Sequence, residues 1–354
     1  MVRVLIVDDS AFMRNALSAM LSSDHDITIA GTARDGLEAI EKVAALKPDV
    51  VTMDVEMPRM DGITAVKHIM EKTPVPIIMV SSLTIDGAHE TLDALDSGAV
   101  DFIPKNLSEL SVNIVKIKEL LIEKVKTIGR HGVARRMVRP AARPAAAGTA
   151  LEPPKPLVVR STGERRVTLV AIGTSTGGPR ALQDLIPRIP KEFPVPIVIA
   201  QHMPPNFTKP FAERLNSLSQ ITVKEAEEGE TVKNGVAYIA PGGGHMRVAR
   251  RKGIETIISI SEDRENFVYR PSVDALMSSV AEFFPGRALG VILTGMGNDG
   301  AKGLAEMKKT GDRIFAQNEA TCVVYGMPKA VVDAGIADKV LAIEEMAGEI
   351  VNAV

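Results

Sequence analysis

The amino-acid sequence predicts an α/β protein of two doubly wound, mostly parallel-sheet domains joined by a linker. Three observations carry this. Short apolar runs alternate with segments of helical period, and the alternation occurs twice. It breaks between 126 and 166, where Pro, Ala and Arg follow one another with no period that could bury a face. Several apolar runs end in acidic, basic or Gly-rich clusters, and in a parallel sheet such C-terminal ends share one edge. The expected division is 1–125, a linker over 126–166, and 167–354.

The chain has 354 residues, enough for two cores at roughly 100–200 residues per domain. Net charge is −2 and only 3% of residues are aromatic, so nothing asks for nucleic acid. No apolar run approaches the ~18–20 residues of a membrane span, and no direct membrane insertion is expected. The start, 1-MVRVLIVDDS-10, reaches two carboxylates at once, unlike a signal peptide. A single cysteine, Cys322 in 321-TCVV-324, excludes an intramolecular disulfide, reads as a small core residue and fits a reducing, cytoplasmic location.

In the first domain, 2-VRVLIV-7, 49-DVVTMD-54, 75-VPIIMVSS-82 and 100-VDFIP-104 read as buried strands. Between them lie helices such as 10-SAFMRNALSAMLSS-23, N-capped by Ser10 with Leu17, Met20 and Leu21 on one face, and 35-DGLEAIEKVAAL-46. A helix over 108–128, with Leu110, Ile114, Ile117, Leu121 and Val125 apolar, closes the unit. The Arg130, Arg135, Arg136, Arg139 and Arg143 run beyond it reads as solvated, with a docking patch as the alternative.

Asp8 and Asp9 end the first strand, Asp54 another, Ser81 a third, and Lys105 the last. Three carboxylates on one sheet edge repel unless a divalent cation holds them. Mg²⁺ takes one or two carboxylates, carbonyls and waters and leaves room for a phosphoryl oxygen. A carboxylate can itself be the nucleophile that becomes an acyl phosphate. A lysine and a hydroxyl opposite would then contact the phosphoryl group.

With this set, residues 1–125 resemble the receiver domain of bacterial response regulators, which is flavodoxin-like. The resemblance implies that Asp54 accepts the phosphoryl group. It implies Mg²⁺ bound through Asp9, Asp54 and the Glu56 carbonyl, with Asp8 completing the acidic pocket. Ser81 and Phe102 match the switch hydroxyl and aromatic, and Lys105 the phosphate-contacting lysine. One departure is that Asn106 follows Lys105 where many receivers have Pro, while Pro104 precedes it.

In the second domain, strands are expected at 167–173, 195–202, 235–240, 255–261, 288–295 and 313–317, and helices at 179–188, 208–218, 272–284 and 301–310. No repeat of fixed period appears. Residues 173-GTSTG-177 fit the G-x-S-x-G pattern of a hydrolase elbow, and a strand–glycine turn–helix also fits an anion-binding loop. The loop lacks the G-K-[ST] ending of a P-loop and the dinucleotide G-x-G-x-x-G with its downstream acid. Ser175 as nucleophile needs a base within hydrogen-bond reach. His202 ends a strand and is favoured over His245, which lies in the turn 241-PGGGHM-246, between what read as antiparallel strands. Asp299, in 292-ILTGMGNDGAKGL-304, is the favoured orienting acid. Asp274 competes, but sits where a helix begins. The order Ser, His, Asp differs from the Ser, acid, His order of α/β-hydrolases, so the elbow pattern does not argue for that fold.

The blocks AIGTSTGGPRAL, QHMPPNFT, APGGGHM and LTGMGNDGA after a receiver resemble the CheB family of chemotaxis protein-glutamate methylesterases over nearly the whole chain. The family implies a triad of Ser175, His202 and Asp299, an oxyanion hole including the backbone N–H groups of Thr176 and Met296, and no cofactor for hydrolysis. It implies methyl-accepting chemotaxis receptors as substrate, with methanol released and receptor glutamines also deamidated. The chemotaxis histidine kinase CheA is the implied phosphodonor, and the unphosphorylated receiver would cover the cleft. Thr174, where Ala is frequent, leaves this chemistry untouched. A DNA-binding regulator, the rival class, would need a compact basic recognition helix in the second half.

Overall fold

The computed structural model describes residues 1–82, 84–105, 114–131, 167–251, 255–262 and 267–354. The first domain is a five-stranded parallel sheet in the order β2-β1-β3-β4-β5, made of β1 (Val2–Val7), β2 (Ile27–Ala33), β3 (Val50–Asp54), β4 (Ile77–Ser81) and β5 (Asp101–Pro104). Helices α1 (Ala11–Ser22), α2 (Gly36–Leu46), α3 (Gly62–Lys72), α4 (Ile85–Asp96) and α5 (Ile114–His131) cover it. The strands at the centre are buried on both faces, as parallel strands under helices must be. Ser10 caps α1 by accepting the Met13 N–H, and Leu17 and Leu21 are buried beneath that helix.

β2 is an edge strand that the apolar pattern misses. It is half-exposed along most of its length and alternates Thr, Gly and Ala instead of running Val/Ile. The closing helix runs on to His131; the expected start at 108, with Leu110 and Asn106, lies outside the described residues, as do Arg135, Arg136, Arg139 and Arg143. Arg130 is described and donates to Asp26 at 2.6 Å.

The second domain is built on a seven-stranded parallel sheet in the order β14-β13-β12-β6-β7-β9-β8. Its strands are β6 (Leu169–Thr174), β7 (Ile197–Gln201), β8 (Thr222–Glu225), β9 (Val236–Ile239), β12 (Ala288–Ile292), β13 (Arg313–Gln317) and β14 (Lys339–Leu341). The helices are α6 (Gly178–Leu185), α7 (Thr208–Leu218), α8 (Val273–Phe283), α9 (Ala301–Lys309), α10 (Met327–Asp333) and α11 (Ile343–Ala353). The run at 255–261 does not join this sheet. As β11 (Glu255–Ser261) it pairs antiparallel with β10 (His245–Arg251) in a separate ribbon, where Ile258, opposite the buried Val248, is the one fully buried residue of β11. The short β8 and β14 and the helices α10 and α11 add to what the spacing anticipated.

From β6 the chain winds through β7 to β9 and β8 on one side, then returns to β12, β13 and β14 on the other. The switch point of the sheet is therefore between β6 and β12, where the crevice beyond the strand ends opens. Cys322 is buried, as a small core residue would be.

The receiver face made by α4, β5 and α5 lies over that crevice. Helix α4 packs on α6 and α7. Leu121 and Val125 of α5 share a buried cluster with Met296 and Val324. Phe102 stacks on Phe207.

Candidate active site

Ser175 follows β6 directly. Its amide donates to Thr294 O at 3.0 Å, and its carbonyl accepts the Gly178 N–H at 2.8 Å. Gly177 turns the chain into α6 with φ +76°, and a Cβ there would sit 2.5 Å from Val323 Cβ, so the turn requires glycine twice over. His202 follows β7 and its amide donates to Thr174 O at 3.2 Å. The buried Gln201 side chain bolts the two strand ends together, donating through Nε2 to the carbonyls of Ser175 and His202, both at 3.0 Å.

The imidazole of His202 bridges the other two groups. Nδ1 is 3.1 Å from Ser175 Oγ and Nε2 is 2.7 Å from Asp299 Oδ2. An ionised carboxylate only accepts, so Nε2 carries the proton and Nδ1 presents its lone pair to the serine hydroxyl. That is the tautomer a general base needs. The two ring nitrogens have exchanged the roles they take in the chymotrypsin-type triad.

Asp299 is held at the N-terminus of α8. Oδ1 accepts from Ser272 Oγ and the Asp274 N–H, both at 3.0 Å, and Oδ2 accepts the Val273 N–H at 2.7 Å. Burial opposes its ionisation, but the bond and charge of His202 and these amides outweigh burial and hold the carboxyl below its ordinary value. Asp274 lies in the first turn of α8 as expected, and does more than favour the helix dipole. Its Oδ1 accepts the N–H groups of Gly300 at 3.0 Å and Gly303 at 2.8 Å, at the start of α9. The two helices thus exchange caps: Asp299 before α9 caps α8, and Asp274 in α8 caps α9. Burial, with Asp299 nearby, raises the Asp274 carboxyl despite those amides.

His245 is fully buried, its ring tilted against Phe267 with centroids 4.8 Å apart, and its Nδ1 accepts the Ser272 N–H at 3.2 Å. It supports the segment that holds Asp299 and does not reach Ser175. Thr174 donates to Thr294 O at 2.8 Å, away from the reacting groups. Thr176 and Met296, the expected oxyanion donors, flank Ser175 in a cavity of about 230 Å³. His202, Met203 and Tyr269 also line it, and the receiver closes it with Phe102, Leu120 and Lys124. Tyr269 lies face to face with His202, ring centroids 4.2 Å apart and 15° between planes. Neither Gln201 nor Tyr269 carries a signal in the sequence. One is the polar end of a buried strand, the other an aromatic 67 residues from the histidine it covers.

In the receiver, Asp54 ends β3, where a Cβ at Gly62 would lie 1.9 Å from the Asp54 carbonyl, which explains the glycine of MDG. Lys105 Nζ donates to Asp54 Oδ2 at 2.6 Å and lies 3.3 Å from Asp8 Oδ2. Burial raises Asp54 to about 6, although Lys105 pulls the other way. Oxygens of Asp8, Asp9 and Asp54 lie within 4.8 Å of one another, and the buried Asp8 Oδ2 has no partner beyond its ion pair with Lys105. Three carboxylates facing a single lysine form an all-oxygen set that fits a hard divalent cation. Glu56, two residues beyond Asp54, is exposed. The Ser81 hydroxyl accepts from Thr91 Oγ1 at 2.6 Å and donates to Gly87 O at 3.2 Å, so it is engaged with α4.

Comparison with known proteins finds two families along this chain. The family model described as CheB methylesterase matches residues 170–350, and that of the response regulator receiver domain matches residues 4–114. A protein of Oleidesulfovibrio alaskensis named protein-glutamate methylesterase/protein-glutamine glutaminase 1 is 52% identical, with all of both chains aligned. One of that function name from Lawsonia intracellularis is 48% identical over 100% of this chain and 99% of its own. The crystal structure of the Thermotoga maritima CheB methylesterase catalytic domain is 45% identical, with TM-score 0.52 over 53% of this chain and 99% of that one. Among the described residues no helix is long and apolar enough to cross a membrane. With its whole length aligned to such relatives, this chain belongs to the CheB methylesterase family, with a response regulator receiver domain preceding the catalytic domain.

Proposed function

We propose that this chain is a receiver-gated serine hydrolase that removes methyl esters from glutamate side chains of chemoreceptors and deamidates receptor glutamines. The observation that carries this is the continuous hydrogen-bonded row Ser175–His202–Asp299 at the mouth of a cleft closed by the receiver. His202 Nδ1 takes the Ser175 proton as Oγ attacks the γ-carbonyl carbon. Negative charge then develops on the carbonyl oxygen, where the Thr176 and Met296 amides are assigned as donors; losing one such donor typically costs about 3–4 kcal/mol. The imidazolium, paired with Asp299, returns the proton to the departing methoxide, or to the amine leaving group of a glutamine. Methanol or ammonia departs and Ser175 is left acylated. Water, deprotonated by the same Nδ1, cleaves the acyl-enzyme and restores Ser175 and a free glutamate.

Asp54 is assigned as phosphoryl acceptor, with a chemotaxis histidine kinase of the CheA type as donor. Mg²⁺ held by Asp8, Asp9 and Asp54, with the Glu56 carbonyl, would offset the charge of the phosphoryl group. Lys105 faces the same group, and Ser81 and Phe102 report it to the α4–β5–α5 face.

The test is methanol release from methylated chemoreceptor, with and without Mg²⁺ and a small phosphodonor. Ser175→Ala is expected to abolish release while thermal unfolding stays that of the wild type. The phosphodonor is expected to accelerate the wild type and leave Asp54→Asn unchanged. Retained turnover in Ser175→Ala defeats the nucleophile assignment, and equal acceleration of both proteins defeats the gate.

A further inference from the structure

We infer that Tyr269 is a positioning residue for the hydrolysis: its ring keeps the His202 imidazole in the plane that joins Ser175 to Asp299 and stabilises the imidazolium formed there. The two rings are nearly parallel at 4.2 Å. The reason a third contact is needed lies in the geometry of the other two. His202 is held by hydrogen bonds at Nδ1 and Nε2. Both act at the ring edge, so they resist sliding but leave the ring free to tilt about the line through the two nitrogens. A flat aromatic face packed on the imidazole opposes that tilt. It also presents π-electron density to a ring that becomes cationic each time Ser175 gives up its proton, so the stack is stronger in the charged state than in the resting one.

The chain around Tyr269 supports this reading. Three residues on, Ser272 donates to Asp299, and the amides of Val273 and Asp274 complete its cradle. One short stretch, 269–274, therefore holds both the face of the imidazole and the carboxylate at its far edge. Tyr269 is half-buried, lines the cavity with Ser175 and Met296, and its hydroxyl lies 3.8 Å from where a Cβ on Gly297 would stand. Burial, with the negative charges of Glu123 and Asp299 nearby, raises the tyrosine above its ordinary value, so it is neutral at working pH and acts through its ring.

The inference rests on the serine-hydrolase reading above, and the experiment separates the two. Full-length wild type, Tyr269→Phe and Tyr269→Leu are assayed with Mg²⁺ and phosphodonor for methanol release, and for the rate at which an activated methylphosphonate ester labels Ser175. Tyr269→Leu is expected to lower kcat about threefold to thirtyfold, the range of a partly desolvated cation–π contact, with KM within about twofold. Labelling should slow by the same factor. Tyr269→Phe should recover both to within about twofold, and the acceleration by phosphodonor should match the wild type in both variants. A wild type that does not label at Ser175 defeats the hydrolase reading itself. A wild type that labels, beside a Tyr269→Leu protein of equal kcat, overturns the role of Tyr269. So does an effect confined to KM, or one confined to the phosphodonor response, which would make the residue a substrate or docking contact. If Tyr269→Leu loses cooperative unfolding, the wild type alone decides by NMR: the His202 ring protons are expected to be shifted upfield by the tyrosine, and unshifted protons overturn the stack.

Discussion

Phe102 of the receiver lies stacked on Phe207 of the catalytic domain, ring centroids 4.7 Å apart and planes 8° from parallel. Phe207 precedes α7 and stands five residues after His202, so the residue that matches the receiver's switch aromatic rests beside the loop that carries His202. Both rings are buried. An aromatic pair of this kind contributes about 0.5–1.5 kcal/mol beyond its buried area. Phe102→Ala is therefore expected to raise methanol release in the absence of phosphodonor by about three- to tenfold and to shrink the further gain on phosphorylation. A basal rate equal to the wild type would remove this stack from the gate.

Arg214 on α7 reaches across to α4, pairing with Asp93 at 2.6 Å and with Asp96. Gln183 donates to Asp96 at 2.8 Å. The charges sit at a partly exposed rim, where each pair is worth about 0.2–1 kcal/mol and is screened by salt. Arg214→Ala should raise the basal rate only about two- to threefold at low ionic strength. The difference from wild type should fade as salt is added. An effect that persists at high salt would mean that the arginine acts through packing.

The exchanged caps of α8 and α9 separate two carboxylates that look alike in the sequence. Asp299→Asn disturbs the group bonded to His202 Nε2 and should lower kcat about 10²–10⁴-fold, with a cost of about 1 kcal/mol in stability because an NH₂ replaces one of the oxygens that cap α8. Asp274→Ala leaves two helix-start amides without their acceptor and should cost about 1–2 kcal/mol of stability. Its effect on kcat should stay under about tenfold, and Asp274→Asn, which keeps an acceptor oxygen, should be milder in both. Melting curves and rates measured on the three variants together check this. Equal losses of rate from Asp274→Asn and Asp299→Asn would contradict it.

Asp54 makes stability depend on pH in a defined direction. Burial raises its carboxyl to about 6, against an unfolded value of about 3.9. Between those values the folded chain keeps a proton that the unfolded chain has released, so this group's contribution falls as pH rises from about 4 to about 6 and stays low above that. In a chelator, Asp54→Asn should melt above the wild type at pH 7, and the gap should narrow as pH falls through 6 toward 4. Added Mg²⁺ should stabilise the wild type at pH 7 and not the variant. A gap that widens with acid would reverse the sign.

Much of the architecture is legible in the sequence. Apolar runs such as 4–7, 77–81 and 288–292 are buried on both faces, and that burial is written locally in composition. Edge elements are not. Ile27–Ala33 and Lys339–Leu341 leave much of their length to solvent, so no apolar period marks them. Residues 255–261 read as a strand, but a local pattern does not say which partner a strand will find, and here it is the ribbon strand His245–Arg251.

By itself, the sequence determined which residue types stand at strand ends: the acids at 8, 9, 54 and 299, Ser175, His202 and Lys105. Only the tertiary structure decided which of them meet. Strand order brings β6, β7 and β12 side by side, and so Ser175, His202 and Asp299, far apart in the chain, converge while His245 is turned into the core. Which imidazole nitrogen faces the serine, the tyrosine laid on the ring, the caps exchanged between two helices, and the receiver face over the cleft are all contacts across long loops. Periodicity and turn chemistry act over a few residues, whereas these contacts depend on how whole layers pack.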